Sequence, residues 1–189
     1  MSDLEKQLSM PASQAARRLL GCELERIIGN ETIKVRIVEV EAYDETDAAS
    51  HSYKGRTPRT DVMFGPAGRL YVYFTYGMHY CCNVTVGKDG EGAAVLIRAV
   101  EPIKGEAIME QNRQGKSGVE LTNGPAKVCQ ALMIDKQLNG HNLANAPLTL
   151  VLNPASEEDV VVTTRIGISK AKDAPLRFYL KDSNYISRK

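Results

Sequence analysis

Apolar residues along this chain fall in short runs that alternate with polar ones. In residues 31–43, ETIKVRIVEVEAY, the apolar side chains recur at every second position, which is the period of a strand. Simple alternation puts Arg36, Val38, Val40 and Ala42 on one face and Ile37, Glu39, Glu41 and Tyr43 on the other. Residues 22–28 predict a preceding strand, and Gly29-Asn30 between the two predicts a tight hairpin. LYVYFTY (70–76) and HYCCNVTV (79–86) predict a second strand pair around Gly77-Met78, and AAVLIRAV (93–100) a further strand. Short strands are expected near 148–152, 160–168 and 176–180.

Three segments have helical character. Ser9 and Pro11 open one whose apolar stripe is Ala15, Ala16, Leu19 and Leu20, and Gly21 ends it. Residues 105–114 predict a second. Asn123-Gly124-Pro125 opens a third, AKVCQALMI, with Asn123 as its expected cap. Residues 44–68 are rich in charge and turn formers and predict an irregular excursion. Residues 1–10 are expected to be loosely ordered. The sum is an α+β chain: one mixed domain over 1–189, with a curved, largely antiparallel sheet and flanking helices.

The chain's 189 residues are enough for one domain with a real core, and 43% hydrophobic with 25% charged residues is ordinary for a globular protein. The polar start, MSDLEKQLSMPASQ, is unlike a secretory signal, and no stretch is suited to span a membrane; a cytoplasmic protein is expected. Cys22, Cys81, Cys82 and Cys129 form no CxxC pair and predict reduced, buried thiols. His51, His79 and His141 lack zinc-site spacing, so no metal is expected. The net charge of +1 is unevenly spread: residues 39–47 carry five acids and no base, whereas residues 163–189 carry seven Lys/Arg against Asp173 and Asp182. Such basic segments suit either ordinary solvated surface or a face turned to a polyanion.

Two features carry candidate chemistry. Glu39 and Glu41 share a strand face roughly 7 Å apart. That pattern fits a solvated face, a general base or a pair of metal ligands. Six of the eight tyrosines lie between residues 43 and 80, and Tyr76 sits at the predicted hairpin tip. Aromatic residues there pack across strands or stack on bases.

The segments RIVEVEAYDETDAASHSYKGRTPR, MFGPAGRLYVYFTYGMHYCCNVTV, AAVLIRAVEP and NGPAKVCQAL, followed by RIGISKAKDAPLRFYL, closely resemble the alkyladenine (3-methyladenine) DNA glycosylase family, in the same order and from about residue 11 onward. The resemblance implies a monofunctional enzyme of base excision repair. Such an enzyme binds double-stranded DNA from the minor groove, inserts a β-hairpin and flips an alkylated or deaminated purine (3-methyladenine, 7-methylguanine, hypoxanthine or ethenoadenine). It then hydrolyses the N-glycosidic bond, leaves an abasic site and works as a monomer without cofactor, in a bacterium at the nucleoid. Glu41 matches the family's catalytic base. Tyr43, His51, Tyr73 and Asn83 match the base pocket. Tyr76, with Met78 beside it, matches the wedge. Arg98, Thr57, Lys127, Ser169 and Lys170 match contacts to the DNA backbone.

The chemistry suits these residue types. A base must leave the duplex before an enzyme reaches its glycosidic bond, at a cost of a few kcal/mol. Electron-poor alkylated purines stack well on tyrosine. A carboxylate orients water and favours an oxocarbenium-like transition state. Other readings are a metal-dependent hydrolase using Glu39, Glu41 and His51, a non-catalytic module for distorted DNA built on Tyr76, and a lyase, although no lysine lies in the pocket strands. Taken singly, His51 also fits a satisfied loop histidine, Asn83 a backbone-bonded edge residue, Arg98 a surface ion pair and Lys127 a solvated helix face. Glu39 is expected to be structural, paired with Arg98 or another base.

Overall fold

The computed structural model describes residues 1–188. Strand β2 (Glu31–Tyr43) is the axis of the fold because it meets three partners. On one side it pairs with β5 (Ala94–Lys104) along most of its length. On the other, its first half pairs with β1 (Glu23–Ile28), and its second half with β8 (Arg177–Leu180). Strands β3 (Leu70–Thr75) and β4 (His79–Thr85) extend the sheet beyond β5. Strand β6 (Leu148–Val151) extends it beyond β1, and β7 (Val160–Thr163) lies outside β8. All pairings are antiparallel, as the alternating patterns predict.

Helices α1 (Asp3–Leu8), α2 (Ala12–Leu19), α3 (Glu106–Asn112) and α4 (Pro125–Ala131) flank this sheet. Ala15, Ala16 and Leu19 of α2 and Val128 and Cys129 of α4 are buried against strand residues such as Leu24, Ile33, Val40 and Ile97. A full side chain buried this way contributes about 1.5–3 kcal/mol, so the apolar stripes hold the helices in place. Among the described residues, no helix is long and apolar enough to cross a membrane.

Simple alternation fails at one place in β2. The register against β5 slips between Ile37 and Val40, a β-bulge. Ile33, Val35 and Ile37 are core residues, and so are Val38, Val40 and Ala42; the consecutive pair Ile37-Val38 marks the change of parity. Ile37 therefore lies with the core rather than with Glu39, Glu41 and Tyr43. Arg36, expected on the face of Val38, is exposed and pairs with Glu101.

Four other expectations are corrected. Residues 1–10 are not loosely ordered: Ser2 and Glu5 form a reciprocal capping box at 3.1 and 3.2 Å, and Leu4 and Leu8 are buried. The strand expected over 160–168 stops at Thr163, and a loop takes over. The helix expected over 105–114 spans 106–112. Asn123 does not cap α4. Gly124 holds that position, and the Asn123 side chain instead accepts from Lys127 Nζ at 2.7 Å.

Candidate active site

The part of β2 that carries Glu39 and Glu41 is paired on both sides, by β5 and by β8, so both carboxylates are fully buried. Buried charge at this depth must be compensated. Arg98 of β5 lies between them, with Nη1 3.2 Å from Glu41 Oε1 and Nε 3.5 Å from Glu39 Oε1. Glu39 also accepts from Arg177 Nη1 at 2.8 Å and from the Ser187 N–H and hydroxyl at 2.6 and 2.9 Å. Glu39 is thus saturated, as its expected structural role requires.

Glu41 is held differently. Its Oε1 accepts the Ile166 N–H at 2.8 Å and its Oε2 the Tyr43 hydroxyl at 2.7 Å. Burial, and then the neighbouring Glu41 carboxylate, push the Tyr43 hydroxyl well above its ordinary pKa, so it stays a donor. Glu41 and Arg98 form part of the lining of a cavity of about 560 Å³, well inside the range of small-ligand pockets.

Aromatic side chains wall this cavity. Tyr43 is backed by the Arg165 guanidinium, 4.5 Å from its ring centre; Arg165 is tied to both Asp47 carboxylate oxygens and to the Ala42 carbonyl. His51 sits on a 3₁₀ turn, 51–54, which the Ser52 hydroxyl pins to the Gly92 carbonyl at 2.7 Å. Only glycine fits at 92, because a Cβ there would fall 2.5 Å from the Phe64 ring. The His51 ring meets Tyr73 edge-on at 4.6 Å, and its Nδ1 lies 3.0 Å from the Tyr71 hydroxyl. Burial, aided by the nearby Arg59 cation, lowers the His51 pKa to about 4. The imidazole is therefore neutral at physiological pH, a partly exposed wall of the cavity rather than a cation. Asn83 is buried, borders the cavity and donates from Nδ2 to the Tyr71 carbonyl at 3.1 Å. Burial also raises the Cys81 thiol to about 11, so this cavity-lining cysteine is a neutral thiol.

The β3–β4 hairpin closes one side of the mouth. Tyr76 and Gly77 both have positive φ (51° and 68°), and the Met78 N–H bonds the Thr75 carbonyl at 3.3 Å. A bulky residue in the left-handed region costs of order 1 kcal/mol. Tyr76 accepts that strain while 83% exposed, and Met78 beside it is 69% exposed. Neither gains from core burial.

The loop after β7 also brings Ile166, Gly167, Ser169 and Lys170 to the cavity, with Ser169 and Lys170 exposed at its mouth. Of the twelve site residues expected from sequence, nine line this cavity: Glu41, Tyr43, His51, Tyr73, Tyr76, Asn83, Arg98, Ser169 and Lys170. Met78 lies just outside, on the hairpin. Thr57 is exposed and bonds Thr60 through their hydroxyls at 2.9 Å. Lys127 pairs with Glu120 and Asn123, at 2.7 Å each. Among the described residues, no three His, Cys, Asp or Glu side chains cluster as metal ligands. Glu39 and Glu41 face arginines, and His51 faces Tyr71.

The structure adds contributors that the sequence hid. Ile166 acts through a backbone N–H, which no side-chain pattern reveals. Arg59 borders the cavity and stands 5.7 Å above the Tyr73 ring. Arg165, Arg177 and Ser187 come from the basic C-terminal segment, whose charge suggested surface; both arginines are buried against acids.

Comparison with known proteins adds an independent line. The chain matches the profile of the family described as Methylpurine-DNA glycosylase (MPG) over residues 6–184. A protein of Carboxydothermus hydrogenoformans is 53% identical over 176 residues, covering 92% of each chain. A protein of Methanoculleus marisnigri is 50% identical over 181 residues, again covering 92% of each. One of Francisella tularensis is 47% identical over 193 aligned positions, covering both chains in full. All three bear the provisional name 3-methyladenine DNA glycosylase.

Proposed function

The chain belongs to the methylpurine-DNA glycosylase family, and from that premise we propose how its cavity acts on DNA. It is a DNA repair hydrolase that cleaves the N-glycosidic bond without lyase activity. In our reading, the enzyme meets duplex DNA from the minor groove as a monomer. The hairpin pushes Tyr76, with Met78 beside it, into the stack, where an aromatic ring fills the gap left by an extruded nucleotide. Ser169 and Lys170 at the mouth, with Thr57 and Lys127 farther out, hold the DNA backbone. The extruded purine enters between Tyr43 and Tyr73, with His51 at its edge. Electron-poor alkylated bases gain most from those ring faces. Asn83, fixed by Tyr71, screens the exocyclic group of the base.

The observation that carries this reading is the placement of Glu41. It is buried in the cavity beneath these aromatic walls, and its oxygens accept from Tyr43, Ile166 and Arg98. A carboxylate has about four acceptor sites, so one remains for a water molecule. That water attacks C1′ as the C1′–N bond breaks. Its proton passes to Glu41, and the negative charge stabilises the oxocarbenium-like sugar. A cationic base such as 3-methyladenine or 7-methylguanine departs without prior protonation, whereas neutral hypoxanthine and ethenoadenine need a proton or a hydrogen-bond donor, from a backbone N–H or a bound water, as they leave.

Single-turnover base release from duplexes carrying each lesion tests this reading, with Glu41→Gln beside the wild type and EDTA in a parallel series. Release that resists EDTA and falls about 10³-fold in Glu41→Gln, with lesion binding retained, supports it. Full activity in Glu41→Gln sinks the role of Glu41, and loss with EDTA would revive a metal mechanism.

A further inference from the structure

The segment 183–188 returns to the buried carboxylates from behind the cavity. Ser183 and Ile186 are buried, and Tyr185 packs on the core, so the segment is anchored before it reaches Glu39. There Ser187 supplies two of the three short hydrogen bonds to Glu39, at 2.6 and 2.9 Å; Arg177 supplies the third. The Ser187 hydroxyl also faces Arg98, with Oγ 3.4 Å from Nε and Nη2. The next carbonyl, of Arg188, accepts from Arg177 Nη1 at 2.8 Å.

Two routes lead from this segment to Glu41. In the first, Ser187 saturates Glu39, Glu39 faces Arg98, and Arg98 faces Glu41. In the second, Arg188 holds Arg177, and Arg177 Nε donates to the Thr164 carbonyl at 2.9 Å. Thr164 stands two residues before Ile166, whose N–H holds Glu41. Without the segment, Glu39 loses two donors and draws Arg98 toward itself, away from Glu41, while the 164–166 backbone loses its anchor. We infer that Ser187 and the 183–188 segment form a positioning strap that sets Glu41 for attack, acting through Glu39–Arg98 and Arg177–Thr164. Residues distant in sequence thus complete the site. The inference rests on the assignment of Glu41 above.

Three variants test it: truncation after Ile186, Ser187→Ala and Ser187→Thr. Single-turnover rates are measured on a hypoxanthine duplex, with thermal melting of each variant. Binding to the same duplex is measured in the Glu41→Gln background, where the base stays attached. The expected result is a rate lower by about tenfold on truncation and about threefold in Ser187→Ala, because small misplacement of a reacting group is costly. Lesion affinity stays within about twofold, and Ser187→Thr, which keeps the hydroxyl, restores most of the rate. Wild-type rates in the truncated and Ala variants overturn the inference. So does a rate loss matching the loss of folded protein, with Ser187→Thr no better than Ser187→Ala. Should the truncation not fold, the Ala and Thr pair decides. Activity surviving Glu41→Gln would instead overturn the assignment of Glu41, a separate outcome.

Discussion

The floor of the cavity and its rim are built on opposite principles. On the floor, Glu39, Glu41, Arg98 and Arg177 are buried, and each faces an opposite charge or a hydrogen-bond donor. At the rim, Tyr76 and Met78 are exposed, and Tyr76 is strained. Under the proposed mechanism this network holds the reacting carboxylate still and leaves it one acceptor site for water, which is what preorganised electrostatics demands. Exposed apolar side chains on a strained turn serve no purpose in the free protein and gain only when something covers them. The contrast separates chemistry from recognition: damage to the floor should cost stability and rate together, whereas damage to the rim should cost binding alone.

The largest effect is expected from Arg98→Met. It leaves two buried carboxylates facing each other, a change that typically destabilises by about 3–5 kcal/mol. Denaturant unfolding should show that loss, and single-turnover base release should fall at the same time. A variant that folds normally and loses only activity would show that Arg98 serves recognition more than the floor.

Tyr76→Ala is the complementary test. Lesion-duplex affinity should weaken by about 1–3 kcal/mol, the typical worth of an aromatic on a base, while thermal melting stays at the wild-type value. A drop in melting temperature would mean that the hairpin tip packs on the protein and is not a free rim.

A smaller effect concerns His51, whose pKa is held at about 4 in the folded state against an ordinary 6.5. Between those values the unfolded chain binds a proton that the folded chain refuses. Stability therefore rises with pH through this window and is lost as pH falls toward 4. The melting temperature of His51→Gln should depend less on pH over this window than that of the wild type. Equal slopes would show that the imidazole is not held neutral by its surroundings.

Lys127→Ala should have the smallest effect. Its partner Glu120 is an exposed acid, and such pairs contribute little to folding. Melting should be unchanged, while the slope of log affinity against log salt should fall by about one if Lys127 meets a phosphate. An unchanged slope would remove Lys127 from the proposed backbone contacts.

Most of this division was legible in the sequence, for identifiable reasons. The β1–β2 hairpin followed from Gly29-Asn30, and the bounds of β2 from its alternation. Nine expected site residues meet at one cavity because their motifs carry side-chain identities. What stayed hidden was carried by backbone or by distance. The bulge after Ile37 leaves only the adjacent apolar pair Ile37-Val38 as its mark, yet it sets which residues join Glu39 and Glu41. The loop beginning at Thr164 looked like a strand because apolar residues continue through it; the positive φ of Gly167 and the buried Arg165 break the pattern. The capping box Ser2–Glu5 is written in the sequence as S-x-x-E, but the polar residues around it mask the buried Leu4 and Leu8. Arg165 and Arg177 looked like solvated charge because burial of a cation depends on acids far away in the chain, here Asp47 and Glu39.

The most direct test of the central claim is a crystal structure of Glu41→Gln bound to a duplex with a single ethenoadenine. The prediction is a lesion base out of the stack, between Tyr43 and Tyr73, with its C1′ facing residue 41 and Tyr76 in the gap it left. A base still stacked in the duplex, or a C1′ turned away from residue 41, would contradict both the flip and the role of Glu41.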